Sequence, residues 1–196
     1  GCIVNDIVDK DFNKKVQRTK KRPIASGKIS VKNSLIYVVI LCSIAFVILM
    51  QFNLLTILLG LCSMLLAFSY PFMKRITYWP QLFLGLTFNW GIIMAWTAMN
   101  NDISLEIIFL YIAAIFWTLG YDTIYGAQDM ADDEIIGLKS TSLKFKKDIK
   151  LFVGISYLIT LVLIVYLFLG EMGKNLFSLL LLLFAISLIL QLINFD

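Results

Sequence analysis

The 196-residue chain contains no histidine, only three cysteines and three prolines, and few charges: 15% of its residues are Asp, Glu, Lys or Arg. Each scarcity excludes something. Without histidine there is no imidazole to activate a nucleophile or to ligate a transition metal. Any metal must be held by oxygen, which favours Mg²⁺ or a similar hard cation. Cys2, Cys42 and Cys62 have no metal or redox spacing, and Cys42 and Cys62 lie inside apolar runs, where packing is their expected role. A soluble domain of this length would carry charge on about a quarter of its residues.

What fills the chain instead is apolar: hydrophobic residues make up 60%. They fall into long uninterrupted runs at 33–50, 53–71, 80–99, 103–121, 149–169 and 175–193. A helix needs about 20 apolar residues to cross a bilayer. Only helices satisfy their backbone polar groups within one such segment. The expected fold is therefore all-α, a multi-span transmembrane helical bundle forming a single domain over 1–196. The connections near 51–52, 100–102 and 170–174 are short enough to make hairpins. Pro71 and Pro80 read as helix boundaries. Tyr78, Trp79, Trp96 and Tyr111 fall near span ends, where aromatic side chains anchor to the interface. Asn89, alone in an apolar run, is either a polar pocket wall or an interhelical hydrogen bond.

Three polar segments, 5–32, 72–79 and 122–148 with its flank at Lys150, hold sixteen of the 17 Lys and Arg residues. Hairpin topology puts all three on one side, with Lys174 on the other. The basic side is expected to be cytoplasmic, or matrix-facing in a mitochondrion. This charge bias serves topology and membrane lipid contact, not nucleic acid.

Two acidic clusters share that side. The first is Asn5-Asp6-Ile7-Val8-Asp9-Lys10-Asp11-Phe12-Asn13. On a helix Asp6, Asp9 and Asn13 would share a face. The second runs from Asp122 through Tyr125 and Asp129 to Asp132-Asp133-Glu134. Asp122, Asp129 and Asp133 could share a face, with Tyr125 between them. Either cluster alone could be a solvated loop neutralised by nearby Lys and Arg. Two matched clusters, each beginning at a span end, point to facing carboxylates that hold more than one Mg²⁺ on a diphosphate. Arg18 and Arg22 follow the first cluster and Lys139 the second, at the right distance along the chain to contact the phosphates.

These residues resemble the signatures of the UbiA-type intramembrane prenyltransferases. Asn5 to Gly27 is similar to the first, Asn-Asp-x-x-Asp-x-x-x-Asp followed by Arg-Thr-x-x-Arg-Pro. Tyr121 to Thr141 is similar to the second. The stretch from Tyr70 through Lys74, Arg75 and Gln81 to Asn89-Trp90-Gly91 resembles the branch that prenylates 4-hydroxybenzoate on the way to ubiquinone. The likeness covers essentially the whole chain. It implies a bundle of nine spans, so the chain is expected to be truncated at both ends, starting at the end of a helix and inactive by itself.

The resemblance further implies Mg²⁺-dependent transfer of a polyprenyl group from polyprenyl diphosphate to the ring carbon ortho to the hydroxyl of 4-hydroxybenzoate. Asp6, Asp9, Asp129 and Asp133 would be the metal ligands and Asn5, Arg18, Arg22 and Lys139 the diphosphate contacts. Asp122 and Tyr125 would serve the acceptor side, and Lys74 or Arg75 the acceptor carboxylate. The sequence departs from the pattern at Asn13, where the family carries a carboxylate. Asp11 would point elsewhere on a helix. Gly126, where relatives often have Ala, is a minor change. Members of the same superfamily acting in haem O, menaquinone or tocopherol synthesis are rivals. So, from another class, is a divalent-cation transporter, which would bury its carboxylates at mid-span.

Overall fold

A computed structural model describes residues 1–17, 19–171, 173 and 175–195. Among the described residues there is no strand. The chain runs α1 (Cys2–Val8), α2 (Lys10–Lys15), α3 (Val31–Leu49), α4 (Leu54–Ile76), α5 (Pro80–Phe88), α6 (Trp90–Asn100), α7 (Leu105–Ala127), α8 (Met130–Ile136), α9 (Thr141–Lys144), α10 (Ile149–Leu167), a 3-10 turn (Leu169–Glu171) and α11 (Asn175–Ile193). Among the described residues, with α5 and α6 counted as one, six helices are long and apolar enough to cross a membrane. The fold is an all-helical bundle of a multi-pass membrane protein.

Local chemistry sets the ends of the spans. Ser30, Asn53 and Ser104 cap α3, α4 and α7, each side-chain oxygen accepting a first-turn N–H at 3.2, 2.9 and 3.3 Å. These caps satisfy donors that the first turn of a helix leaves open. Asn101 closes α6 in the left-handed region at φ 56°, which Asn tolerates well.

The interior is arranged around α7. Its membrane window is 44% buried, against 6% for α3 and 6% for α11. It packs most extensively against α10 and then α5. The outward faces of α3 and α11, with Val39, Val47, Leu176 and Ile193 at least half exposed, present aliphatic side chains to what would be lipid. Such a surface would be an aggregation hazard in water and is matched by acyl chains.

Helix contacts use small and hydroxyl residues, as expected where lipid removes the hydrophobic drive between helices. Thr56 donates to Thr97 across α4 and α6 at 3.0 Å, and Thr160 of α10 donates to the Ala113 carbonyl of α7 at 3.1 Å. Asn89 is an interhelical anchor: its amide nitrogen lies 2.8 Å from the Thr118 hydroxyl and 3.2 Å from the Ala114 carbonyl of α7. The same nitrogen donates to the Gly85 carbonyl at 2.9 Å, and the run expected at 80–99 is divided there into α5 and α6.

Three expectations are corrected. Pro71 lies inside α4, which continues to Ile76. A proline removes only one helical hydrogen bond, and the turn beyond it is fastened to other segments, as described below. Tyr111 is 7% exposed; its hydroxyl donates to the Leu86 carbonyl at 2.8 Å and its ring meets Trp90 edge-on, so it is core and not an interfacial anchor. Cys62 is exposed on α4 and does not pack internally. The run expected at 103–121 also extends two turns further, to Ala127, which carries Asp122 and Tyr125 on the helix.

Gly120 of α7 packs beneath the Tyr157 ring of α10. A Cβ there would stand 2.3 Å from Tyr157 Cε1, and Tyr157 is itself 4% exposed. Gly120→Ala is expected to lower the thermal unfolding midpoint in detergent, by overpacking of about 1–3 kcal/mol. Gly91→Ala, with open space around the added Cβ, is the control and is expected to leave the midpoint unchanged or raise it.

Candidate active site

The first acidic cluster folds as α1 and α2 with a single break at Asp9. The helical ladder nearly continues through it: Asp9 N–H bonds to the Asn5 carbonyl and Asn13 N–H to the Asp9 carbonyl, at 2.9 and 2.8 Å. Asn5, Asp9 and Asn13 consequently line one wall. The second cluster also breaks, between α7 and α8, with Asp129 preceding α8 and Gly137 ending it at φ 78°. Asp129 and Asp133 line the same cavity, of about 110 Å³, together with Thr19, Arg22 and Lys74.

Asp9 is 1% exposed and is paired with two basic side chains. Lys74 Nζ contacts Asp9 Oδ2, and Arg75 Nη2 lies 3.5 Å from Oδ1 and donates to the Val8 carbonyl at 2.7 Å. Arg22 Nη1 lies 2.6 Å from Asp6 Oδ1. Lys74 and Arg75, expected to meet the acceptor carboxylate, both point at the first cluster. Lys74 also reaches the second cluster, since its carbonyl accepts the Lys139 N–H at 2.8 Å. The Lys139 ammonium bonds to the Ile76 carbonyl at 3.1 Å and lies 5.5 Å from the Tyr78 ring centroid, closing the C-terminal end of α4 outside the cavity lining.

Asp122 and Tyr125 sit on the last turns of α7, also outside that lining, so Asp122, Asp129 and Asp133 do not form one continuous helical face. Tyr125 is half exposed. Arg18 lies outside the described residues, as does Lys174. Asp11 is on the surface with Lys14 at 3.6 Å, and Glu134 pairs with Lys146 at 2.8 Å; these members of the clusters are solvated. Asp11 therefore does not replace a carboxylate at position 13.

A layer of buried polar groups beneath the second cluster was not anticipated in its role. The Gln81 side-chain oxygen accepts the Thr141 N–H at 2.9 Å, the Thr123 and Thr141 hydroxyls are 2.7 Å apart, and Ser142 donates to the Thr123 carbonyl at 2.7 Å. This ties the segment after Lys139 to α5 and α7. Gly126 faces it: a Cβ would meet Ser142 Oγ at 2.9 Å and Gln81 Nε2 at 3.1 Å. Sequence reasoning noted Gln81 within a motif but had no signal for its partner 60 residues away. Beside α1, an apolar cavity of about 470 Å³ is walled by Cys2, Ile3 and Val4 with facing residues of α3 and α4, including Leu41, Ala45, Met64 and Phe68.

The carboxylate oxygens of Asp9, Asp129 and Asp133 are donors that suit a hard divalent cation. Among the described residues no three acidic groups converge closely enough to enclose a metal alone.

The cavity thus brings residues of both acidic motifs together with Arg22 and Lys74, and comparison with known proteins names the family. The model of the UbiA prenyltransferase family matches residues 1–196. The chain belongs to the UbiA prenyltransferase family. It is 50% identical over 151 residues to the mitochondrial 4-hydroxybenzoate polyprenyltransferase of Caenorhabditis elegans, covering 76% of this chain and 42% of that protein. It is 42% identical over 167 residues to 4-hydroxybenzoate octaprenyltransferase of Vibrio vulnificus, covering 85% of this chain and 59% of the relative. The chain thus spans about half the length of these relatives. The apo structure of a UbiA homolog from Aeropyrum pernix superposes with TM-score 0.83 at 26% identity, over 96% of this chain and 72% of that one.

Removing one partner of a buried ion pair leaves an uncompensated charge. Lys74→Met is expected to lower stability by about 3 kcal/mol, read as a fall in the unfolding midpoint, with the Asp9→Leu/Lys74→Met double variant recovering most of the loss.

Proposed function

We propose that the protein transfers a polyprenyl group from polyprenyl diphosphate to the ring carbon ortho to the hydroxyl of 4-hydroxybenzoate, a step of ubiquinone biosynthesis. The observation that carries this reading is the meeting of both acidic motifs at one cavity, Asp9 and Asn13 facing Asp129 and Asp133, in a chain half identical to a protein named for that reaction.

Asp6, Asp9, Asp129 and Asp133 would hold Mg²⁺. When bound, the metal would neutralise the charge that develops on the diphosphate as it leaves. Arg22 and Lys74, at the cavity wall, would complete that neutralisation by turning from Asp6 and Asp9 to phosphate oxygens. The allylic C–O bond breaks with its electron pair going to diphosphate, and the ring carbon supplies the pair for the new C–C bond before losing its proton. The prenyl tail would lie in apolar space between helices, for which the cavity beside α1 is the candidate. Asp122 and Tyr125 would orient the acceptor hydroxyl. Arg18 and Lys139 would supply further positive charge. The motif side would face the cytoplasm, or the matrix in a mitochondrial inner membrane, as the distribution of Lys and Arg supports.

Membranes carrying the full-length protein are expected to prenylate radiolabelled 4-hydroxybenzoate only when Mg²⁺ is present. Asp6→Ala and Asp129→Ala are each expected to lower turnover at least a hundredfold. Mg²⁺-dependent diphosphate release with a different aromatic acceptor would retain the chemistry and overturn the substrate. No diphosphate release with any acceptor would overturn both.

A further inference from the structure

Asn13 has a side chain at the cavity wall that makes no hydrogen bond through its nitrogen. It is 7% exposed, and its Nδ2 is a buried atom without a partner among the described residues. An unpaired amide N–H out of water is costly unless something else satisfies it. The backbone that carries it is fixed on both sides. Its N–H is held by the Asp9 carbonyl at 2.8 Å, and its own carbonyl accepts the Thr19 hydroxyl at 3.0 Å, with Thr19 only 6% exposed.

The surroundings say what would satisfy it. Asp9, Asp129 and Asp133 share the cavity lining, so negatively charged hydrogen-bond acceptors are already plentiful there. A carboxylate at position 13 would add one more. A carboxamide adds what those residues lack, a neutral donor that brings no charge against Arg22 or Lys74. Three carboxylates nearby also favour the nitrogen of the amide, over its oxygen, on the cavity side.

We infer that Asn13 binds the substrate anion directly: its amide nitrogen donates to an oxygen of the diphosphate, in place of ligating the metal, and Thr19 is the positioning residue that keeps it there. This rests on reading the cavity as a metal–diphosphate site. It makes Asn13 a determinant of diphosphate affinity, and makes the Asn for Asp exchange a change of role more than a loss.

The test is calorimetric titration of the purified protein in detergent with MgCl₂ alone and with inorganic pyrophosphate at saturating Mg²⁺, on the wild type, Asn13→Leu, Asn13→Asp and Thr19→Val. A lost hydrogen bond to a charged group predicts that Asn13→Leu weakens pyrophosphate binding about tenfold or more. Its Mg²⁺ binding should stay within about twofold, and its unfolding midpoint should be equal or higher because the unpaired group is gone. Asn13→Asp, which keeps the shape but replaces the donor with a charge, should also weaken pyrophosphate binding. Thr19→Val should do so to a smaller extent. Tighter pyrophosphate binding in Asn13→Asp, or lost Mg²⁺ binding in Asn13→Leu, would make Asn13 a metal ligand and overturn the inference. Unchanged binding in both Asn13 variants would also overturn it, leaving Asn13 a packing residue. A wild type that fails to bind pyrophosphate with Mg²⁺ would overturn the site itself, and the inference with it.

Discussion

The arrangement depends on one buried ion pair, Asp9 with Lys74. A carboxylate 1% exposed at the edge of an apolar bundle is tenable only if it is paired, and the partner comes from the last turn of α4. That pairing, with Arg75 bonded to the Val8 carbonyl, fixes α1 and α2 over the end of α4. The carbonyl of the same lysine receives the Lys139 N–H, which brings the segment after the second acidic cluster to the same point. Lys74 therefore joins the two motifs through different atoms, side chain to one and backbone to the other. The cavity between them is what remains once both are tied down.

The second constraint is lipid. With no hydrophobic drive between helices, α7 is held at the centre by polar contacts and close approach: Asn89 to Ala114 and Thr118, Thr160 to Ala113, Tyr111 to Leu86, and Gly120 beneath the Tyr157 ring. These fix the end of α7, and through Gln81, Thr123, Thr141 and Ser142 they fix the segment that bears Lys139. Rigidity of the membrane part is thus conveyed to the polar site at its rim. Arg22 and Lys74 stand on Asp6 and Asp9, so these acidic and basic side chains neutralise one another.

Most of the fold was legible in the sequence because spanning a bilayer demands long apolar runs, and such runs are visible one residue at a time. The bases of both walls were legible too, since Asp9, Asp129 and Asp133 stand in recognisable spacings. What escaped was every feature decided by a distant partner. Pro71 reads as a helix end, but tertiary bonds from Lys74 and Arg75 carry α4 past it. Tyr111 reads as an interfacial ring, but Leu86 and Trp90 bury it. The contact of the Lys139 ammonium with the Ile76 carbonyl, 63 positions away, has no local signal. Asp122 and Asp129 look like one face until the chain breaks between α7 and α8. Local pattern announces which residues can do the chemistry; the pairing across 60 or more positions, as for Gln81 with Thr141 or Asp9 with Lys74, determines which of them are brought together.

The central claim is that two acidic motifs, far apart in sequence, grip a single ligand. A double-mutant cycle on Asp9→Asn and Asp133→Asn, read as the dissociation constant of Mg²⁺–pyrophosphate, addresses it most directly. Groups that act on one bound ligand couple by about 0.5–3 kcal/mol, whereas independent sites are additive within about 0.5 kcal/mol. The account predicts that the double variant binds little more weakly than either single one. Losses that multiply, with no coupling between the two positions, would mean that the motifs serve separate sites and would contradict it.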